Sequence, residues 1–460
     1  MRTTEDPAPA GAQATTPRAA LPRFVLPSAF GAAVFLAPIR VDGAWTIPFS
    51  LITDALAALF GNALAPLLLG CMLLGAGGAL LWPLLRRTAL GRVRGVALLF
   101  GVHWLWGALR VLGALYALGL VLGVGPEVLR APDTGETVFR DICMPVLLVY
   151  LASAYLMGLL TDYGLMEFVG TLVQRPFRWL FRLPGRAAVD ALASFVSSSG
   201  VGVLITTRQY EQGIYTAREA AVICCSFSVV SLPFALLITR VAGVEASFLA
   251  WYGTVALACV LAAAVVARVG PVARKPERFH QGEGAALPDA PLDAGGSAFR
   301  AGVAAARRRA ARGMAPGPYL AAATFRAVDL LLGLLAPIMA IATTASVLVF
   351  HTPVFDVLAR PVALGLGFLG FPEAEAAGKG FIVGALDQFM PALVAQGLES
   401  QVARFVLAGL SVSQLIYFSE YGMLMLRSPL PVTVLDLLLT FLLRTLVVAP
   451  VLVAGALLLA

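Results

Sequence analysis

Asp190, Ser194, Ser197, Ser198 and Ser199 crowd one short stretch of an otherwise apolar segment, with Gly200, Gly202, Thr206 and Thr207 just behind them. A second polar set follows downstream: Asp387 and Gln388 next to Phe389-Met390-Pro391, then Ser411, Gln414 and Glu420. No serine–histidine pair or H-E-x-x-H pattern accompanies either set, so nucleophilic or zinc chemistry has no machinery here. What remains is recognition. Serine triplets and close glycines open a helix, and backbone groups freed at membrane depth must be buried in protein or line a wet cavity. That is the pattern of a broken, substrate-facing helix.

The substrate-binding candidates are therefore Asp190, Ser194, Ser197, Ser198, Ser199, Asp387, Gln388, Ser411 and Gln414, with Glu420 as the candidate for ion coupling. Each has a plainer alternative. Asp190 can be the acid at the start of a half-helix, the serines can be small residues that let helices approach, and Glu420 can pair with a neighbouring helix. A carboxylate in an apolar span costs a few kcal/mol unless paired, protonated or hydrated.

The elements that must position these groups are membrane helices. With 59% hydrophobic and only 13% charged residues over 460 positions, the apolar surface exceeds what soluble cores can bury. The class is an all-α polytopic membrane protein. The net charge of +7 punctuates apolar spans instead of forming a basic, aromatic fold, which excludes nucleic acid as a partner. Five cysteines and three histidines (His103, His280, His351) show no metal spacing, so no metal or cofactor is expected.

Residues 1–21 read as a disordered tail. Phe24–Ile39 reads as a retained first helix rather than a signal peptide, because no small-x-small cleavage site follows it. Further spans fall near Ala63–Leu85, Val96–Val124, Ile142–Leu160, Ala220–Ala242, Phe248–Ala267, Leu320–Phe350, Phe405–Leu426 and Val432–Leu459. That makes about nine transmembrane helices, each of at least ~17 residues, enough for ~30 Å of hydrocarbon. Arg86, Arg87, Arg92 and Arg94, and the arginine-rich connection 269–318, belong in the cytoplasm. That connection reads as a flexible linker with a basic end that can be helical, bound to nothing or to acidic lipid or a partner.

Parity makes residues 185–207 begin and end on one side of the membrane, as a re-entrant hairpin tipped by the serines and glycines. The arrangement recurs 185 residues later: Arg175-Pro176 as Arg360-Pro361, Gly185 as Gly370, Ser226 and Ser228 as Ser411 and Ser413. The second hairpin is Ala374–Gly397, broken around Asp387–Pro391. Three crossings separate the two units, so the second is inverted. The organisation is then a three-helix region (22–136), a first repeat (137–268), the linker (269–318) and an inverted second repeat (319–460). Elsewhere, Arg326 and Asp329 read as a local helical ion pair, and Gly119 and Gly123 as a G-x-x-x-G packing face.

Three stretches, F-L-A-P-I-R-V-D-G-A-W-T-I-P (35–48), L-P-G-R-A-A-V-D-A-L-A-S-F-V-S-S-S-G-V-G (183–202) with T-A-R-E-A-A (216–221), and S-V-S-Q-L-I-Y-F-S-E (411–420), resemble the nucleoside-recognition or Gate-domain family of bacterial membrane proteins, in particular its YjiH-like members. The resemblance implies the Gate fold and a multi-pass place in the bacterial inner membrane, without naming a solute. Polar hairpin tips make the leading expectation a secondary transporter, not an enzyme, for a small polar metabolite such as a nucleoside, amino acid or organic anion, coupled to protons or sodium or to neither. The alternative is a non-transporting membrane partner or regulatory subunit, and a homo-oligomer fits either.

Overall fold

A computed structural model describes residues 20–37, 39–41, 44–185, 187–188, 191, 199–227, 232–280, 297–418 and 421–459. The first region holds α1 (Ala20–Leu36), a small antiparallel hairpin of β1 (Ile39–Val41) and β2 (Ala44–Thr46), α2 (Pro48–Phe60), α3 (Leu64–Leu85), α4 (Arg94–Phe100), α5 (Trp104–Leu122) and α6 (Glu127–Arg130). In the hairpin Ile39 pairs Thr46 and Val41 pairs Ala44, with Asp-Gly as the two intervening residues of the sequence. Asp-Gly is the preferred chemistry for a two-residue turn.

Two runs of elements in the same order follow. The first is α7 (Met144–Thr161), α8 (Leu165–Phe181), α9 (Ser199–Glu211), α10 (Ala217–Phe227), α11 (Leu232–Val241) and α12 (Phe248–Val266). After α13 (Ala298–Ala311) come α14 (Pro316–Phe350), α15 (Val354–Phe368), α16 (Ala374–Val383), α17 (Met390–Gln396), α18 (Gln401–Ser413), α19 (Tyr421–Arg427) and α20 (Val434–Leu459). Each run goes from a long helix to an amphipathic helix with an internal proline, Pro176 in α8 and Pro361 in α15, then to short helices and a long final one.

Among the described residues six helical stretches are long and apolar enough to cross a membrane: Pro48–Leu85, Trp104–Leu122, Glu127–Leu159, Glu245–Val266, Pro316–Phe350 and Val434–Leu459. The expected continuous span Phe405–Leu426 is instead interrupted: it leaves helix after Ser413 and is helical again from Tyr421. The expected span Ala220–Ala242 is described as α10 and α11, with residues 228–231 outside the described residues. Hydropathy averages over a break such as the one after Ser413, so a window sees one span where the backbone makes two helices. Their starts are written locally: Thr216 and Glu219 cap each other at α10, Thr216 N to Glu219 Oε2 at 2.8 Å and Glu219 N to Thr216 Oγ1 at 3.2 Å, and Ser400 Oγ accepts from Ala403 N at α18.

Helices approach closely where glycine removes the side chain. A Cβ on Gly113 would lie 1.8 Å from the Ala336 carbonyl oxygen and one on Gly75 would lie 2.2 Å from that of Leu332, so α3 and α5 both rest on the backbone of α14. The Gly119/Gly123 motif does something else. Gly123 is left-handed (φ 69°) and its N–H bonds Gly119 O and Leu120 O, ending α5. A Cβ on Gly123 would meet nothing within 4 Å, so this pair is a helix stop and not a packing face.

The local pair expected within α14 is also replaced. Arg326 reaches across to Asp162 of α7 at 3.5 Å, and Asp329 lies beside the buried Arg110 of α5, whose Nη1 donates to Leu99 O at 2.7 Å. Interhelical partners compete with the weak i,i+3 pair and win. Nor is the basic connection loose at its described ends. Ala217 N donates to Arg278 O at 2.8 Å, and α13 buries Gly302, Ala306 and Ala310 against α1 and α8, where Phe168 contacts Phe24 and Phe299. Arg309 faces Asp162 and Glu167 at 3.8 and 3.5 Å.

Candidate functional site

The second expected hairpin is present as two short helices, α16 and α17, joined by residues 384–389. At ~1.5 Å per residue neither is long enough to cross a bilayer. Pro391 sits in the first turn of α17, where its missing N–H costs nothing, and Asp387 Oδ1 accepts from Phe389 N at 2.9 Å, turning the chain into α17. Asp387 thus shapes the tip through its own backbone. At the foot, the Glu373 carboxylate accepts from Glu399 N and Ser400 N at 3.0 and 2.7 Å, fastening the hairpin to the start of α18.

The tip docks on the break after α18. Gln414 is buried, and its amide donates to Phe381 O at 2.8 Å and to Thr445 Oγ1 at 3.0 Å, while its Oε1 has no hydrogen-bond partner. A Cβ on Gly384 would lie 1.9 Å from that oxygen, so only glycine lets the tip meet the glutamine. Leu415 then adopts φ 69°, a conformation that costs a non-glycine residue ~1–2 kcal/mol. Phe418 N bonds Ala385 O at 2.8 Å, closing the break back onto the tip. From the other half, Phe234 of α11 packs its ring 4.8 Å from that of Phe389, beside Gln388. The hairpin tip therefore touches both the break after α18 and α11 of the other half.

Arg444 joins α10 to the break after α18 from the middle of α20. It is 0% exposed. Its Nε and Nη2 donate to Ser413 O at 3.0 and 2.7 Å, and its Nη1 donates to Cys225 O and Ser226 O at 3.2 and 3.4 Å. Ser413 ends α18, and Cys225 and Ser226 lie in the last turn of α10. Nearby, Tyr421 Oη donates to Cys224 O at 2.5 Å, tying α19 to α10. Phe227 packs against Phe177 and Phe181 of α8 with ring separations of 5.0 and 4.7 Å.

Six buried side-chain oxygens on these segments have no hydrogen-bond partner among the described residues: those of Thr206, Thr207, Ser226, Gln388, Ser411 and Gln414. Burying such a group unpaired costs ~1–3 kcal/mol, and six on α9, α10, the hairpin tip and the end of α18 are more than a stray defect. Of the sequence candidates, Asp387, Gln388, Ser411 and Gln414 belong to this region. Ser199 begins α9. Asp190, Ser194, Ser197, Ser198 and Glu420 lie outside the described residues. Gly384, Thr445 and Arg444 are not among the sequence candidates, although a lone arginine in a 26-residue apolar helix was the available signal. Among the described residues no three His, Cys, Asp or Glu side chains gather as a metal site.

Residues 143–245, which contain α7 through α11, match the family model described as Gate, nucleoside recognition. An uncharacterized protein of Alkalihalophilus pseudofirmus, BpOF4_10220, is 35% identical over 435 residues, covering 94% of this chain and 93% of that protein. The chain belongs to the Gate family. Among solved structures, this Gate protein is similar to CNTnw in an inward-facing substrate-bound state (TM-score 0.41, 14% identity, 88% of this chain and 96% of the other). It is also similar to a doubly substituted CNTnw in an outward-facing state (TM-score 0.39, 13% identity, 96% and 99%).

Proposed function

We propose that this Gate protein is a secondary transporter for a small polar solute of the nucleoside class, bound between the tip at residues 384–391, the last turn of α10 and the break after Ser413. The observation that carries this reading is the set of partnerless buried oxygens of Thr206, Thr207, Ser226, Gln388, Ser411 and Gln414. Hydroxyl and amide oxygens accept hydrogen bonds from the hydroxyl and N–H donors of a nucleoside, and they ask for no charge on it. The description of the matched family, nucleoside recognition, supports the same class.

In this reading residues 137–268 and 319–460 are inverted repeats whose hairpins enter from opposite faces and expose the site alternately. The chain lies in a bacterial inner membrane with 269–318 in the cytoplasm, and Glu420 is the candidate for proton coupling. The alternative of a non-transporting subunit drew its support from the basic connection. The apolar face of α13 packs on this chain's own α1 and α8, which leaves that support weaker.

Purified protein is to be screened by thermal shift against nucleosides, amino acids and organic anions, and the best ligand followed in liposomes. A nucleoside should raise the melting temperature, because it binds the folded state alone, and should exchange across the membrane. No shift with any nucleoside, and no flux, would overturn the reading.

A further inference from the structure

A cleft of about 680 Å³ opens where α3, α5 and α7 have their ends together. Leu64 begins α3, Leu122 ends α5 and Met144 begins α7. At ~1.5 Å per residue the 22-residue α3 and the 19-residue α5 each match one bilayer thickness. The cleft therefore lies at headgroup depth, at the end of α3 opposite Arg86. Leu64, Leu120 and the buried Phe139 give it an apolar side, and Arg130, Glu136 and Arg140 give it a charged one. All of these fall within the described stretch 44–185. The charged wall is built in advance. Residues 132–143 form two π-helical turns, a widening that recurs where helices carry sites. Thr134 Oγ1 donates to Val128 O at 2.5 Å, and a Cβ on Gly135 would lie 2.0 Å from Leu129 O, so these turns rest directly on α6. Arg130 Nε donates to Gly125 O at 3.3 Å, and Arg140 Nε meets Glu136 Oε1 at 3.1 Å.

Two arginines against one glutamate leave this lining with a surplus of one positive charge. Orientation does not account for it, because basic residues that set topology gather at the other end of α3, at Arg86 and Arg87. Guanidinium groups match the oxygens of a phosphate. An apolar wall next to a phosphate site suits an amphiphile, whereas an inorganic anion has no use for it. We propose that this cleft binds a singly anionic glycerophospholipid, its phosphodiester between Arg130 and Arg140 and the upper part of an acyl chain along Leu64, Leu120 and Phe139. One phosphodiester charge leaves the cluster neutral. An ethanolamine headgroup brings its own cation and leaves the surplus in place, so the cleft discriminates against it. A narrower cleft of about 210 Å³ shares Leu64, Arg140 and Met144 and continues to Leu236 and Leu237 of α11. It gives the chain a path from the first region to the Gate repeat, and the bound lipid fastens the two together. The proposal rests on the cleft alone and is independent of the transporter reading.

The full chain in neutral detergent micelles is mixed with equal amounts of dioleoyl phosphatidylglycerol and dioleoyl phosphatidylethanolamine. Bound lipid is counted by native mass spectrometry, and each lipid alone is tested by melting temperature. Phosphatidylglycerol should be retained in preference and should raise the melting temperature, because it binds the folded state. In the double variant Arg130→Gln, Arg140→Gln the preference should fall by at least about tenfold. The variant should still fold, since the Arg140–Glu136 pair is exposed. Leu120→Trp keeps both arginines, fills the apolar side and should lose the lipid as well; it decides the matter if the double variant is not recovered. Arg86→Gln, Arg87→Gln, at the opposite end of α3, should keep the preference. Equal retention of the two lipids by the wild type would overturn the proposal, as would an unchanged preference in the Arg130/Arg140 or Leu120 variant. A loss as large in the Arg86/Arg87 variant would also overturn it, by showing general attraction to a basic surface. Sodium phosphate is the last arm: a melting shift equal to that from phosphatidylglycerol would assign a free-anion site and overturn the lipid.

Discussion

Arg240 and Arg444 solve the same problem in opposite ways. Arg240, near the end of α11, is surrounded by groups of its own kind of chemistry: Asp54 at 2.9 Å, Glu245 at 2.9 Å and Ser50 Oγ at 2.5 Å, with a quarter of its side chain still exposed. Arg444, wholly buried, is held among the described residues by backbone carbonyls of α10 and α18. Where water reaches, carboxylates can face a cation cheaply. Where it does not, bringing in a full anion costs several kcal/mol in desolvation, and backbone carbonyls already in place supply partial negative charge without that cost. The difference marks one cluster as a surface tie and the other as the internal frame of the candidate site.

The comparison is broken most directly at Arg444. In Arg444→Met the carbonyls of Cys225, Ser226 and Ser413 lose their donor, at ~1–3 kcal/mol for each oxygen that stays buried, so stability should fall by about 3–5 kcal/mol. Chemical denaturation in micelles measures this. A loss no larger than that of an Arg240 variant would mean that the two arginines are equivalent and that the helix ends are not being held.

Gly384→Val comes next. Its Cβ would stand 1.9 Å from Gln414 Oε1 and the further methyls would press on the same group, so the tip must lift from the break. Overpacking of this kind costs ~1–3 kcal/mol. The response to any nucleoside should disappear, even under conditions where the variant remains folded. A variant that still binds would show that tip and break need not touch.

Ser411→Ala sharpens the contrast from the unsatisfied side. Its hydroxyl has no partner among the described residues, so removal should leave stability unchanged or raise it by ~0.5–1 kcal/mol. Affinity for the solute should drop by about tenfold, one hydrogen bond's worth. Lower stability with intact binding would assign Ser411 to the frame instead.

How much of this was legible beforehand varies by residue. The long apolar helices, the hairpin at 374–397 and the recurrence of Arg-Pro and paired serines could be read directly, because lipid enforces length and hydropathy and because broken helices need polar or small residues. Gln388, Ser411 and Gln414 are site candidates by the same logic. The interruption of the span after Ser413 did not, since apolar residues continue on both sides and the break is held by long-range partners, Arg444 and the hairpin tip. Gly119/Gly123 misled for a related reason: the same spacing serves a helix stop or a packing face, and only Gly123's left-handed backbone tells them apart. Arg326 likewise had a partner close in sequence and chose Asp162, 164 residues away.

The smallest effect is expected at Arg240. Its ion pairs join α11 to α2 through Asp54 and extend to Glu245, and both acids are well exposed at 54% and 41%. Exposed pairs contribute ~0–1 kcal/mol and are screened by salt within ~8 Å at physiological ionic strength. Arg240→Gln should therefore cost less than about 1 kcal/mol at low salt, with the difference from wild type shrinking as salt is added. Arg444→Met should show no such recovery, because the carbonyl dipoles it abandons lie where salt does not penetrate. Melting both variants across a salt series gives two slopes. Parallel slopes would mean that water reaches the centre of α20, and the division between a wet tie and a dry frame would have to be given up.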